Sequence, residues 1–240
     1  MPIHSPDLRL TYFPVPKVGT STMRAVLGAL AHGMEPETFL SKHHEKANAN
    51  KAIAAQPFAK AMRNAKGLPA AETLVLVRDP VRRFFSGYEN KVRSGHLARR
   101  SEGPVVPGTD LSSRPDLTVF LDNLEAYSAA SFMIRKHFRS LTYFLGKDLG
   151  IFDHVHAIER FPAFAAFISG RLGRPLTFPH VKRQDMSWVT EVPPEIRRRV
   201  EILSQDDYLL LHNHYGADLP GITIPDWILE TLRAPRSQTR

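Results

Sequence analysis

Pro16-Lys17-Val18-Gly19-Thr20-Ser21-Thr22 is the stretch whose reading decides the fold. Ahead of it, Leu8 to Val15 is apolar and β-branched and predicts a buried strand. Behind it, Met23 to Leu30 predicts a helix, with Thr20 or Ser21 as its N-cap. A strand, a tight Gly turn and a helix start together make an anion site. The free N–H groups of the first helical turn point outward, and the helix dipole favours negative charge there. Lys17 adds a full positive charge, and three consecutive hydroxyls add donors. A phosphate or a sulfate is the expected guest. The plainer alternative is a strand-to-helix turn whose polar residues only cap the helix. The common ATP loop, G-x-x-x-x-G-K-[ST], is not matched, because Lys17 precedes the only Gly.

Thr73-Leu74-Val75-Leu76-Val77 predicts a second strand, bounded by Arg78-Asp79-Pro80. Pro80 suits the first helical position and Asp79 the N-cap. A helix then runs from Val81 through Ser86 to Lys91, which puts Ser86 about two turns in. Arg78 and Ser86 could both face one dianionic phosphate.

With both stretches in hand the chain resembles the sulfotransferases that use 3′-phosphoadenosine 5′-phosphosulfate (PAPS). PKVGTST is similar to their 5′-phosphosulfate loop, and RDPVRRFFSGY to their 3′-phosphate motif. The nearest variant is the carbohydrate sulfotransferase group, sulfotransferase family 2, with its V-P-K-x-G-[TS]-[TS] loop and R-D-P-x-x-R-x-x-S segment. His137-Phe138-Arg139 to Tyr143-Phe144-Leu145-Gly146, and Phe152 to Val155 through Ile158 to Phe161, are also similar to that group. The resemblance spans roughly residues 8 to 215. It implies a P-loop nucleotide-kinase-like sulfotransferase fold.

The 240 residues, 42% hydrophobic, suffice for one sizeable core, and a single domain over residues 1–240 is expected. Strands alternating with helices independently argue for an α/β fold with a mostly parallel central sheet flanked by helices. Cysteine is absent, which excludes disulfides and thiolate metal sites. No run approaches the ~18 apolar residues of a membrane span. Golgi members of the resembled group carry a membrane anchor. With the first strand near Leu8 no anchor or signal peptide is expected here, and the expected location is cytoplasmic. The formal charge of +8 suits a polyanionic donor and an acidic acceptor. It also suits nucleic acid, but no nucleic-acid module is apparent.

Elsewhere, residues 1–7 read as a polar lead. Helical sequence follows Pro36, with a break near Pro57. Residues 94–115 are punctuated by Gly and Pro and form a long loop, an expected acceptor-side lid. Asp116 to Phe138 predicts one helix, His154 to Ile158 a third strand, and Phe161 to Leu172 a helix ended by Gly173. Pro193-Pro194 starts a helix that runs to Tyr208–Leu211.

Sulfuryl transfer builds charge on the leaving 5′-phosphate oxygen and needs a base for the acceptor proton. The resemblance assigns Lys17, with Val18, Gly19, Thr20, Ser21 and Thr22, to the 5′-phosphosulfate, and Arg78 and Ser86 to the 3′-phosphate. It also places a basic loop, here Lys182 and Arg183, over the nucleotide; two solvated charges are the alternative. No metal is required. His43 and His44 are the first candidates for the base, with His44 preferred, Glu45 as a neighbouring alternative and His137 next. The resembled group often shows His-aromatic-x-Pro-Gln at His137, and this chain has His-Phe-Arg-Ser-Leu. The expected acceptor is a hydroxyl, on a carbohydrate. Two other readings fit parts of the sequence: a P-loop-type kinase or NTPase, and a non-catalytic basic protein that binds polyanions.

Overall fold

A computed structural model describes residues 1–49, 55–95, 97, 111–179, 185–216 and 219–233. Strand β1 (Ile3–Ser5) pairs antiparallel with β2 (Leu10–Phe13). Helices α1 (Thr20–Ala31), α2 (Pro36–Ala49) and α3 (Phe58–Ala65) lead to β3 (Glu72–Val77), which lies parallel to β2. Helix α4 (Pro80–Tyr88) ends in a π turn over Glu89–Arg93. Four short helices follow: α5 (Leu117–Asp122), α6 (Leu124–Ala130), α7 (Phe132–His137) and α8 (Leu141–Leu145). Strand β4 (His154–Ala157) is parallel to β3. The chain then forms α9 (Phe161–Leu172), α10 (Pro194–Leu203), α11 (Gln205–Tyr215) and α12 (Asp226–Arg233). The sheet order is β1-β2-β3-β4, so the α/β architecture with a mostly parallel sheet is as expected.

Leu74 to Val77 is an unbroken apolar run, and all four residues are fully buried. A continuous run is what a parallel strand covered on both faces requires. Leu10, Tyr12 and Phe13 on β2 are buried beside it. The register pairs Phe13 with Val75 and Val77 with Ala157, so the chain leaves β2, β3 and β4 at one edge of the sheet. Ligands of open α/β sheets bind outside such carboxyl ends.

Helix α4 is fixed by a buried ion pair. Arg83 and Asp207 are 5% and 3% exposed, and Arg83 Nη2 donates to Asp207 Oδ2 at 3.1 Å. The same nitrogen donates to the Arg139 carbonyl at 2.5 Å, while Asp207 Oδ1 accepts from the Leu141 amide at 2.6 Å. One carboxylate thus ties α11 to α4 and to the start of α8. An aromatic cluster, Phe84, Phe120 and Phe138 with ring centroids 5.0–6.4 Å apart, fills the space alongside.

Several boundaries differ from the sequence reading. The polar lead contains β1, too short for a periodicity signal. The single helix over 116–138 is three, because Asn123 and Ser131 interrupt it; the Ser131 hydroxyl caps α7 by accepting from the Ile134 amide at 3.4 Å. The helix after Pro193 breaks at Ser204 into α10 and α11. Gly173 ends α9 as expected, in a left-handed conformation. Among the described residues no helix is long and apolar enough to cross a membrane. Most of the loop 94–115 lies outside the described residues.

Candidate functional site

The loop between β2 and α1 contains two residues of positive φ. Lys17 has φ +69° and Gly19 φ +83°. At Gly19 the left-handed φ disfavours any side chain, and a Cβ would also lie 2.9 Å from Ile158 Cδ1, so that side chain would have to shift. Lys17 is not glycine, so its left-handed backbone is strained, by roughly 1–3 kcal/mol. Something must hold it, and Arg78 does: its Nη1 donates to the Lys17 carbonyl at 3.1 Å.

The N-cap of α1 is Gly19, not Thr20 or Ser21. The Thr20 hydroxyl is committed elsewhere, donating to the Val15 carbonyl. Tyr12, fully buried, donates to Thr20 Oγ1 at 3.2 Å. Burial pushes the Tyr12 phenol up to about 12, so it remains a donor. Thr22 Oγ1 donates to the Pro179 carbonyl at 3.3 Å. The hydroxyl hydrogens of Thr20 and Thr22 therefore brace the loop instead of pointing at a ligand, and what these residues keep for an anion is their backbone N–H groups. Val18 is buried in the core, so only its backbone could serve.

The second motif is built by capping. Asp79 accepts from the Arg82 amide at 2.8 Å and Pro80 occupies the first turn, as the sequence requires. Tyr208 donates to the other Asp79 oxygen at 3.3 Å. Burial raises the Asp79 pKa, and these hydrogen bonds oppose the rise. Glu159, just after β4, accepts from the Asp79 amide at 3.1 Å. Its own pKa is raised, first by burial. Arg78 is desolvated, which lowers its pKa, while Glu159 and Asp79 oppose the shift. Arg78 Nε is buried and has no hydrogen-bond partner among the described residues. Arg78 also lines the cleft onto which the first loop opens.

Both motifs open onto one cleft of about 1250 Å³, lined by Lys17, Gly19, Thr20, Ser21 and Thr22 on one side and Arg78 and Ser86 on the other. Ligand sites commonly enclose about 300–1,000 Å³, so the cleft is larger than one small ligand needs. His137 lines the same cleft. Its Nδ1 is 2.8 Å from the Met133 carbonyl. A carbonyl can only accept, so Nδ1 carries the hydrogen and Nε2 keeps its lone pair. Burial, with Lys91 and Lys17 nearby, holds the His137 pKa at about 3. The ring is neutral at pH 7. The side chains of His43, His44 and Glu45, all on α2, lie outside the described residues, as do Lys182 and Arg183.

The model of the Sulfotransferase family matches residues 3–216, most of the chain and both phosphate motifs. This chain belongs to that family. No curated protein and no solved structure matches it. Membership supports sulfotransferase activity.

Sequence reasoning left out several groups that shape this sulfotransferase's cleft. Glu159 braces the Arg78–Asp79 turn from a position 80 residues away. Its signal was present, since Ile158-Glu159-Arg160 directly follows the third strand and so had to emerge at the same sheet edge. Arg24, Lys60 and Lys136 also line the cleft, from α1, α3 and α7. No local pattern marked them.

Proposed function

We propose that this sulfotransferase moves a sulfuryl group from PAPS to an acceptor hydroxyl, on a carbohydrate. The observation that carries the reading is the meeting of two anion motifs 61 residues apart in one cleft, where Arg78 touches the Lys17 carbonyl. A donor with phosphate at one end of its ribose and phosphosulfate at the other has two anionic ends to satisfy. A nucleoside triphosphate has one chain of phosphates and no use for Arg78 and Ser86 beyond it.

The residues present fit that donor. The amides of Thr20, Ser21 and Thr22 at the start of α1, with Lys17, would hold the 5′-phosphosulfate. Arg78, with its orphaned Nε, and Ser86 would hold the 3′-phosphate. PAPS supplies an activated sulfuryl group: the acceptor oxygen bonds to sulfur as sulfur parts from the 5′-phosphate oxygen. Lys17 and the helix amides offset the charge that grows on the departing oxygen. The acceptor proton goes to Nε2 of His137, the lone-pair nitrogen of a ring already held by Met133. Negative charge brought in beside Lys17 and Lys91 offsets two of the causes that depress the His137 pKa and so strengthens it as a base.

A thermal-shift comparison of adenosine 3′,5′-bisphosphate, ATP and GTP tests the donor, because a ligand that binds only the folded chain raises its melting temperature. The bisphosphate is expected to give the largest shift; a larger shift with ATP would support a kinase instead. For the base, His137→Ala is expected to abolish most ³⁵S transfer from labelled PAPS while bisphosphate affinity stays within about two-fold. If His44→Ala does this and His137→Ala does not, the proton goes to α2.

A further inference from the structure

One dipeptide touches both phosphate motifs. Ile158 and Glu159 follow β4 at the sheet edge where the motifs emerge, and both line the cleft. Ile158 closes against the first motif, with its Cδ1 2.9 Å from where a Gly19 Cβ would stand. Glu159 takes the second. Its Oε1 accepts from the Asp79 amide at 3.1 Å, next to Arg78 and at the N-cap of α4. Burial lowers the Arg78 pKa, and Glu159 is the foremost of the charges that oppose this. Among the described residues the two nevertheless form no ion pair. Glu159 thus supports the charge of Arg78 without pairing with it. Its Oε2 is buried and has no hydrogen-bond partner among the described residues. A buried carboxyl with one oxygen unpaired costs stability; what it delivers is the hold on the Asp79 amide.

Glu159 is itself held by a segment after α11. Residues 219–233 follow the part of the chain that the Sulfotransferase family model matches. They are docked: Ile222, Ile224 and Ile228 are buried, Trp227 Nε1 donates to Glu201 Oε2 at 3.0 Å, and the Arg198 guanidinium stands 3.6 Å from the Trp227 ring centre. Near the start of this segment Gly221 has φ +74°, and a Cβ there would lie 2.9 Å from Glu159 Cβ. The segment's backbone therefore packs on the stem of Glu159. A side chain at 221 forces Glu159 or the segment to move.

We propose that Glu159 is a positioning residue for the 3′-phosphate site and that Gly221 sets where it stands. The segment after α11 fixes Glu159, Glu159 fixes the Arg78–Asp79 turn, and that turn fixes the reach of Arg78 and Ser86 toward the phosphate. This rests on the sulfuryl-transfer reading above, which assigns Arg78 and Ser86 to the 3′-phosphate. Loss of Glu159 weakens the grip on the 3′-phosphate and leaves the 5′ end, at the start of α1, in place.

The test is calorimetry of the full chain with adenosine 3′,5′-bisphosphate and with adenosine 5′-monophosphate. The preference for the bisphosphate, a ratio of two dissociation constants, isolates the 3′-phosphate. A defect that only loosens the fold weakens both ligands alike and leaves this preference unmoved. Glu159→Gln keeps an oxygen for the Asp79 amide, so its preference is expected within about two-fold of wild type. Glu159→Ala, and Glu159→Asp with its carboxylate one methylene short, are expected to lose at least about ten-fold, the scale of a charge-assisted hydrogen bond. Gly221→Ala should lower the preference with Glu159 still present; Gly221→Asn, better suited to a left-handed φ, takes its place if the alanine variant does not fold. Likewise Glu159→Asp carries the test if Glu159→Ala does not fold. An unchanged preference in the Glu159→Ala or Glu159→Asp variant overturns the role of Glu159. A Glu159→Gln loss as large as that of Glu159→Ala means that charge alone acts on Arg78, and overturns the positioning. A gain in both means that Glu159 only repels the phosphate, and overturns it as well. An unchanged preference in the Gly221 variants overturns the part given to the segment. If wild type binds both nucleotides equally, the donor reading itself fails, and this is visible before any variant is made.

Discussion

The two flanks of the cleft are made differently. The flank proposed for the donor rests on backbone: two left-handed residues, helix amides, and hydrogen bonds given by Tyr12, Thr20 and Thr22 and accepted by Asp79 and Glu159 that hold the turns in place. The opposite flank rests on long side chains carried by short helices, with Lys60, Arg135 and Arg139 exposed. A rigid flank suits a donor that never changes. A flank of long cations on small helices can be altered one side chain at a time without disturbing the sheet.

The largest expected effect breaks the rigid flank from behind. Asp207→Ala leaves Arg83 buried without its partner and releases α4, the helix that carries Ser86. Removing one member of a buried pair costs about 3–5 kcal/mol, so the urea midpoint should fall steeply. Exposed Lys60→Ala, on the other flank, should stay within about 0.5 kcal/mol of wild type. Equal losses at the two positions would erase the contrast.

Lys17→Ala is expected to be smaller in stability and large in rate. Loss of an electrostatic contact to developing charge commonly costs about 10²–10³ in turnover. The strained φ of Lys17 points the same way, since strain is retained where the backbone serves a function. Near-native ³⁵S transfer by Lys17→Ala, with the variant folded by circular dichroism, would remove the loop from the mechanism.

A smaller effect reads the environment of His137. Its pKa is about 3 in the folded chain against an ordinary 6.5. Between those values the unfolded chain binds a proton that the folded chain refuses. Stability is therefore fully present above pH 6.5 and is lost as pH falls toward 3, at a slope of at most about 1.4 kcal/mol per pH unit. His137→Gln should flatten that slope between pH 6.5 and 5 in urea titrations. An unchanged slope would mean that the ring is accessible to protons.

The difference between the flanks also governs what could be read from the sequence. The donor flank was legible because its signals are local: Lys17 and Gly19 lie on one turn, and Arg78, Asp79, Pro80 and Ser86 follow one strand. Even there, hydroxyls assigned to the ligand at Thr20 and Thr22 turned out to brace Val15 and Pro179, a choice between partners that only the packed structure makes. The opposite flank was not legible. Arg24, Lys60 and Lys136 are more than 35 residues apart and meet at one cleft only in the folded chain. The break at Ser131, which aims Phe132 and His137 at the cleft, was hidden by apolar spacing that continued across it.

The central claim is that the two sequence motifs grip opposite ends of one donor. Calorimetry of wild type and Arg78→Ala with adenosine 3′,5′-bisphosphate and with adenosine 5′-monophosphate tests it most directly. Arg78 lines the cleft with a buried Nε that has no hydrogen-bond partner among the described residues, while its Nη1 is engaged with the loop. The variant is expected to lose about 1.5–3 kcal/mol toward the bisphosphate and far less toward the monophosphate, which has no 3′-phosphate. Equal weakening of both ligands would contradict the account and reduce Arg78 to a brace for the Lys17 carbonyl.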